Sequence, residues 1–397
     1  MRKILKLLLV PIEKILFEIV KSIPVGPQAG NPAEPAFLAP SLQKTVHIVR
    51  SDTIGDFILF SATLPYFRKI YPGYKIVLIG DAVWEELALL VQDNKILDLE
   101  GNYFDELIAV NGKDYNRNPF YYYKILKRIR LSAPEIVLQP TFSRTEKSDR
   151  WVLVSKESKK IGYEGDVSNI TPEIKAKNDA KYDRLIKNPV SGLEPDRNMH
   201  FLNEVAGYQI LKSGLPQWNL PQKLLLEGRN FLISVGADPL KPVLVICPNG
   251  SEPKRSWTIE NFVSLIVRLY NHNSFFQFAL IGGPKDVDDC AKIQELLKEQ
   301  GVKSYNFSGK KTLVKFAKIL SVSNIFIGAE TGSMHMASAI GIPVVVLRWE
   351  GHYERFFPYP AWRTGSENAV ILQKRDESDG NTKLEEAFKK ITEILKP

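Results

Sequence analysis

Cysteine is scarce: Cys247 and Cys290 are the only two in a chain of 397 residues. Two thiols this far apart build neither a disulfide framework nor a zinc site, and they are expected as buried thiols in a reducing compartment. Histidine is nearly as rare, at five residues. No zinc-finger spacing and no aromatic-basic ribonucleoprotein motif occurs, so a nucleic-acid partner is not expected. Nor is there an unbroken apolar run of the ~20 residues that a membrane-spanning helix needs. Acids are outnumbered, 45 Asp and Glu against 53 Lys and Arg, leaving a formal net charge of +8. That excess favours anionic partners, phosphorylated ligands or an acidic membrane face, without choosing among them.

What is present is ordinary globular chemistry at double length. Apolar residues make up 44% and charged residues 25%. A chain this long suits two domains of about 150–200 residues, each able to bury a core without disulfides or metals.

Residues 1–23 stand apart. Leu5, Leu8, Leu9, Ile12, Ile15, Leu16, Ile19, Val20 and Ile23 recur at three- and four-residue steps, with Lys3, Lys6, Glu13, Lys14, Glu18 and Lys21 largely on the other side. This is an amphipathic helix with a cationic face, which Pro11 is expected to kink or divide. Interrupting charges argue against a span, and no small-x-small cleavage site follows for a secretory signal. The helix reads as an anchor lying on the inner-membrane surface, or as a helix packed on the protein's own body. A Pro/Gly/Ala-rich linker follows, residues 24–44.

From Thr45 the chain alternates strand and helix, which predicts parallel sheets covered by helices on both faces. Strands are expected at Thr45–Val49, Lys75–Ile79, Leu107–Val110 and Glu135–Leu138, with one helix from Asp56 to Ile70. Residues 156–240 are richer in Lys, Asn, Pro and Gly, with one helical stretch near Phe201–Leu211. The same grammar restarts at Val243–Cys247 and runs to a helical tail, Leu384–Leu395.

In open α/β sheets ligands bind where strand ends lead into helices, and four such loops stand out. In Arg50-Ser51-Asp52-Thr53-Ile54-Gly55-Asp56, Gly55 permits close backbone approach. Asp56 opens a helix, where a carboxylate also serves as a cap. In Pro248-Asn249-Gly250-Ser251-Glu252-Pro253-Lys254-Arg255-Ser256-Trp257, Asn249 and Ser251 offer donors and Lys254 and Arg255 offer charge. This is a phosphate cradle, or a solvated basic loop with Trp257 packed beneath. Gly328-Ala329-Glu330-Thr331-Gly332-Ser333-Met334-His335 sets small residues at a helix start, whose amides bind anions. His335 alone reads more often as a packed histidine than as a catalyst. Gly282-Gly283-Pro284-Lys285-Asp286 is a tight loop.

Taken in order, Ser-x-x-Ile-Gly-Asp after the first strand, Tyr-Pro-x, Lys-Arg-x-Trp before a helix, Gly-x-Glu-Thr-Gly-x-Met-His and Gly-x-Pro-Val-Val resemble the family 9 glycosyltransferases. That family includes the bacterial ADP-heptose:lipopolysaccharide heptosyltransferases. The resemblance covers roughly Val46 to the C-terminus and implies a GT-B fold, two Rossmann-like domains facing a cleft. The expected layout is an acceptor-binding domain at residues 45–218 and a nucleotide-sugar-binding domain at 219–380. A C-terminal helix, 381–397, is expected to pack back towards the first domain. The resemblance makes Asp56 the catalytic base of an inverting transfer. Lys254 or Arg255 becomes the diphosphate-binding cation, and Thr331, Gly332 and Ser333 the phosphate-facing helix start, with His335 completing that motif. Gly55 and Arg144 fall on the acceptor side. It implies a nucleotide-diphospho-sugar donor, ADP-heptose, and a lipopolysaccharide-type acceptor. Neither a metal nor a cofactor is implied, because protein cations and helix amides stabilise the leaving diphosphate. The implied location is the cytoplasmic face of the inner membrane. The chain departs from the pattern at Glu330, where the family most often has Asp, and in the one-residue-longer Lys254–Trp257 segment. Two alternatives therefore stand beside it: a same-fold transferase with another donor for a different surface polysaccharide, and a non-catalytic sugar-nucleotide-binding protein at the membrane.

Overall fold

The computed structural model describes residues 2–25, 43–97, 101–189, 192–212, 214–250, 257–309, 312–349, 355–356, 359, 368–373 and 380–396. The expected linker lies mainly outside this set, as do Ser251, Lys254 and Arg255.

Apolar runs rich in β-branched residues build two parallel sheets. The first holds β1 (Thr45–Arg50), β2 (Lys75–Asp81), β3 (Glu106–Val110), β4 (Ile136–Gln139), β5 (Lys159–Tyr163) and β6 (Arg184–Ile186). The second holds β7 (Val243–Cys247), β8 (Gln277–Leu280), β9 (Ser304–Asn306), β10 (Ile325–Gly328), β11 (Val344–Trp349) and β12 (Asn368–Gln373). Every residue of β1 and of β7 is buried, as a parallel strand covered by helices on both faces requires.

The helices of the first half are α1 (Arg2–Ser22), α2 (Ile54–Ser61), α3 (Leu64–Ile70), α4 (Glu85–Asp93), α5 (Gly112–Tyr115), α6 (Pro119–Leu131), α7 (Glu146–Leu153), α8 (Pro172–Asp179) and α9 (Glu194–Ala206). The second half has α10 (Gln222–Ser234), α11 (Ile259–His272), α12 (Val287–Glu299), α13 (Leu313–Leu320), α14 (Gly332–Ile340) and α15 (Gly380–Ile394).

The first sheet runs β3-β2-β1-β4-β5-β6 and the second β12-β11-β10-β7-β8-β9. Numbered within its own half, each has the doubly wound order 3-2-1-4-5-6. The direction of winding therefore reverses between β1 and β4, and between β7 and β10. Pairing there is in register, Val46 beside Ile136 and Gly328 beside Cys247. Crevices for ligands open at such reversals, and three of the four loops singled out above leave β1, β7 and β10.

Several expectations are corrected. The helix foreseen over 56–70 is two, because the chain turns at Ala62 and Thr63 and Pro65 opens the next helix. β5, α8 and β6 occupy a stretch in which none was foreseen. α1 is helical straight through Pro11. The C-terminal helix α15 packs on the second half, not back on the first: Ala387 and Ile391 join the core built by Phe262, Leu265 and Leu269, and Arg268 pairs with Glu385. The anchor-or-body question about α1 has a structural answer on one side, since Val20 is fully buried against the first half and Leu16, Phe17 and Ile23 pack beside it.

Candidate active site

Asp56 occupies the third position of α2. Its Oδ2 accepts from the Thr53 amide at 3.1 Å and the Thr53 hydroxyl at 2.6 Å, so the carboxylate ties down the turn leaving β1. Gly55 explains why that turn can approach the second half so closely. A Cβ there would stand 2.8 Å from His335 Cδ2, and one on Gly332 would stand 2.8 Å from Ile54 Cγ2. The starts of α2 and α14 thus meet across the cleft through two glycines.

Thr331 caps α14, its hydroxyl accepting from the Met334 amide at 3.3 Å. The Gly332 and Ser333 amides precede any intrahelical acceptor and form the electropositive start of the helix. Cys247 Sγ lies 3.9 Å from Thr331 Oγ1, which brings the loop after β7 alongside. Asn249 in that loop donates to Asp289 Oδ2 at 2.6 Å, and Asp286 Oδ2 accepts from the Gly283 amide at 2.6 Å. The loops after β7, β8 and β10 therefore converge on one rim.

His335 is buried, with Nδ1 hydrogen-bonded to the Tyr359 hydroxyl and the ring edge-on to Phe356. Burial pulls its pKa down to about 4, against the nearby Asp56 charge, so the imidazole is neutral near pH 7. Burial, followed by the charge of Glu330, holds the Tyr359 phenol well above its ordinary value. Glu330, Tyr359, His335 and Asp56 thus form one row of neighbouring polar groups running from the second half to the first.

Behind Asp56 lies a buried charge network absent from the sequence reading. Arg50 is fully buried, stacks on Phe60 and binds Asp52 at 2.5 Å, the Asn198 amide oxygen at 3.1 Å and the Pro140 carbonyl at 3.2 Å. Glu194 lies 3.7 Å from Arg50 and accepts from Arg355 of the second half at 2.9 Å. Arg355 also donates to Ser143 at 2.8 Å, and its carbonyl accepts from the Glu194 amide at 2.7 Å. Burial pushes the Asp52 carboxyl up to about 7. Arg50 opposes this, and Asp56 and Glu194 add to it. Arg50 and Asp52 sat inside a loop already singled out. Glu194 and Arg355, 161 residues apart, carry no local signal.

Arg144 stands outside this assembly. Its guanidinium is buried, pairs with Asp149 and Asp179 and stacks on Tyr182. So placed, it ties α7, α8 and Tyr182 together within the first half. Among the described residues, no group of three or more His, Cys, Asp and Glu could hold a metal ion.

Two doubly wound α/β halves whose switch-point loops face each other make a GT-B-like architecture, and the comparisons agree. The chain belongs to glycosyltransferase family 9 (heptosyltransferase), whose model matches residues 130–385; it is a glycosyltransferase of GT-B-like fold. No curated protein matches the chain by sequence. A glycosyl transferase family 9 structure from Veillonella parvula is similar, at 17% identity and a TM-score of 0.65, over 89% of this chain and 90% of that one. E. coli ADP-heptose lps heptosyltransferase II is 16% identical, with a TM-score of 0.63 over 89% and 98% of the two chains. E. coli heptosyltransferase WaaC, solved with ADP-2-deoxy-2-fluoro heptose, is 14% identical, with a TM-score of 0.61 over 88% and 99%.

Proposed function

We propose that the protein is an inverting transferase that moves a heptose from ADP-heptose to a lipopolysaccharide-core acceptor, with Asp56 as general base. The observation that carries this reading is the meeting of Asp56 and Gly55 with the start of α14 at His335 and Gly332. It sets a carboxylate of the first half opposite an anion-binding helix start of the second. The acceptor hydroxyl gives its proton to Asp56 as its oxygen bonds to the anomeric carbon. The bond from that carbon to the diphosphate breaks on the opposite face, and ADP leaves with the electron pair. Gly332 and Ser333 amides, Asn249, Ser251 and the cations Lys254 and Arg255 receive the growing phosphate charge. Neutral His335 packs beside the base and adds no competing charge.

Asp56→Asn is the test, because the amide oxygen can still accept from Thr53 and preserve the turn. ADP release with ADP-heptose and core acceptor should fall by about 10²–10⁴-fold, while ADP still raises the melting temperature as in the parent. Unchanged turnover would remove Asp56 from the role of base.

A second reading, another nucleotide sugar and another surface glycan, rests on Glu330, whose carboxylate reaches one methylene further than the Asp usual in its place. A donor panel decides between the two, since turnover with ADP-heptose alone rejects this second reading. For an acceptor held in a lipid layer, residues 1–23 keep the enzyme on the cytoplasmic face of the inner membrane.

A further inference from the structure

α1 is held to the first half along one side. Val20 is fully buried among Ile125, Ile129, Trp151 and their neighbours, and Glu13 pairs with Arg150 at 2.8 Å. The Ile23 carbonyl accepts from buried Arg130 at 3.1 and 2.9 Å. Glu13 lies near Tyr122 through Arg150, and Ile23 lies near Arg130, so α1 and α6 run side by side in the same direction.

The other side of α1 is apolar as well. Ile12, Ile15 and Ile19 are 43%, 62% and 47% exposed, and their three- and four-residue spacing makes one ridge. On α6 the exposed positions Phe120, Lys124, Lys127 and Leu131 also form one stripe, with Phe120 86% exposed. α6 carries four basic residues and no acid; Lys124 and Lys127 are exposed, whereas Arg128 pairs with Glu106 and buried Arg130 with Glu157. On α1, Glu13 is committed to Arg150, and Lys14 is exposed.

We infer that α1 is not a tether but a fixed bilayer-contact element, its Ile12–Ile15–Ile19 ridge entering the headgroup–acyl boundary of an anionic membrane while α6 presents Lys124 and Lys127 beside it. This rests on the membrane placement proposed above and adds to it that the first domain is oriented on the lipid surface. Charge selects the occupant: exposed Lys14, Lys124 and Lys127 outnumber the one exposed acid beside the ridge, Glu18, which lies 3.9 Å from Lys21, and that cationic excess suits anionic headgroups. Three half-exposed isoleucines also fall well short of the roughly 800 Å² per partner that a stable protein interface buries. Among the described residues, no helix is long and apolar enough to cross a membrane, so contact is confined to the surface.

The experiment uses the full chain and phosphatidylcholine vesicles with or without phosphatidylglycerol. In flotation the parent should bind the anionic vesicles and be released by salt. The triple variant Ile12→Ser, Ile15→Ser, Ile19→Ser should lose at least about tenfold in binding. It should keep its melting temperature and its turnover on a delipidated acceptor. A fluorophore on Lys124→Cys separates a fixed element from a tether, because both native cysteines are buried and leave the label on α6. Anionic vesicles should brighten and blue-shift it. A label that stays silent while the parent binds overturns the fixed docking. Full binding by the triple-serine variant overturns the ridge, and a dimer dissolved by those serines with vesicle binding intact assigns it to self-association. None of the overturning outcomes depends on turnover, so failure of the transferase reading appears separately in the Asp56→Asn assay.

Discussion

At the residue scale, the proposed mechanism asks one side chain, Asp56, to serve structure and chemistry together. Thr53 takes Oδ2 twice, which fixes the carboxylate and leaves Oδ1 to meet a hydroxyl. Removing the Thr53 hydroxyl with Thr53→Val should lower kcat about tenfold by loosening the base, with little change in the KM for donor; steady-state kinetics checks this. His47 gives a pH prediction. It is buried on β1 with Nε2 2.7 Å from Ser132 Oγ, and burial pulls its pKa from 6.5 to about 3. The folded state therefore keeps the ring neutral while the unfolded chain takes a proton. The stabilisation is complete above about pH 6.5 and is lost as pH falls from there towards 3. His47→Gln removes this dependence. Between neutral pH and about two units below the free histidine value, it should lose about 2 kcal/mol less than the parent in denaturant titrations. Asp56, Thr331 and Gly332 were legible because their motif is local. Tyr359 was not, since its partner His335 lies 24 residues away and nothing in that spacing marks a hydrogen bond.

At the scale of elements, the strands that read well were the apolar ones. β1 and β7 announce themselves, whereas β5 hides because it begins Lys159-Lys160. Lys160 is buried all the same, its ammonium donating to the carbonyls of Ser158 at 2.6 Å and Lys156 at 3.0 Å. A lysine satisfied by backbone defeats a hydropathy pattern. Pro11 misled in the opposite direction: it sits on the exposed side of α1, where a helix held by its neighbours tolerates the lost backbone donor. The approach of α2 to α14 supplies a prediction at this scale. Gly332→Ala puts a methyl 2.8 Å from Ile54 Cγ2, and the two helix starts must separate. A displacement near 1 Å at the reacting groups is worth about a hundredfold in rate. We expect kcat to fall by that order while circular dichroism is unchanged.

At the scale of the molecule, the halves are joined by buried charge as well as by chain. Glu194 faces Arg50, Arg197 and Arg355, and removing its charge leaves buried Arg50 with Asp52 as its remaining ion-pair partner and takes the shared carboxylate from Arg197 and Arg355. Glu194→Gln should cost about 3 kcal/mol of stability. Arg355→Met leaves Arg50 paired with Asp52 and removes the cross-cleft side-chain bonds to Glu194 and Ser143. It should spare most of the stability and lower kcat/KM, a split that thermal melts and kinetics resolve together. The crossing segment is pinned to both sides: the Asn219 amide donates to the Ile96 carbonyl at 2.8 Å, and the Trp218 amide to the Ala339 carbonyl at 2.7 Å. The Trp218 indole reaches Ser61 at 3.1 Å. The doubly wound order of each half was implicit in the alternating pattern, but these stitches pair residues over 100 apart and emerge only from the folded chain.

The contact between Gly55 and His335 has one more consequence, for modularity. Two-domain transferases invite exchange of halves to change the donor while keeping the acceptor. Here the seam passes through the site itself: the turn that carries Asp56 is shaped by a histidine of the other half, and Glu194 is neutralised by an arginine from across the cleft. A chimera inherits those partners from a different parent. Swapped halves of this enzyme have to be re-matched at Gly55, Gly332, Glu194 and Arg355 before they can work as one protein.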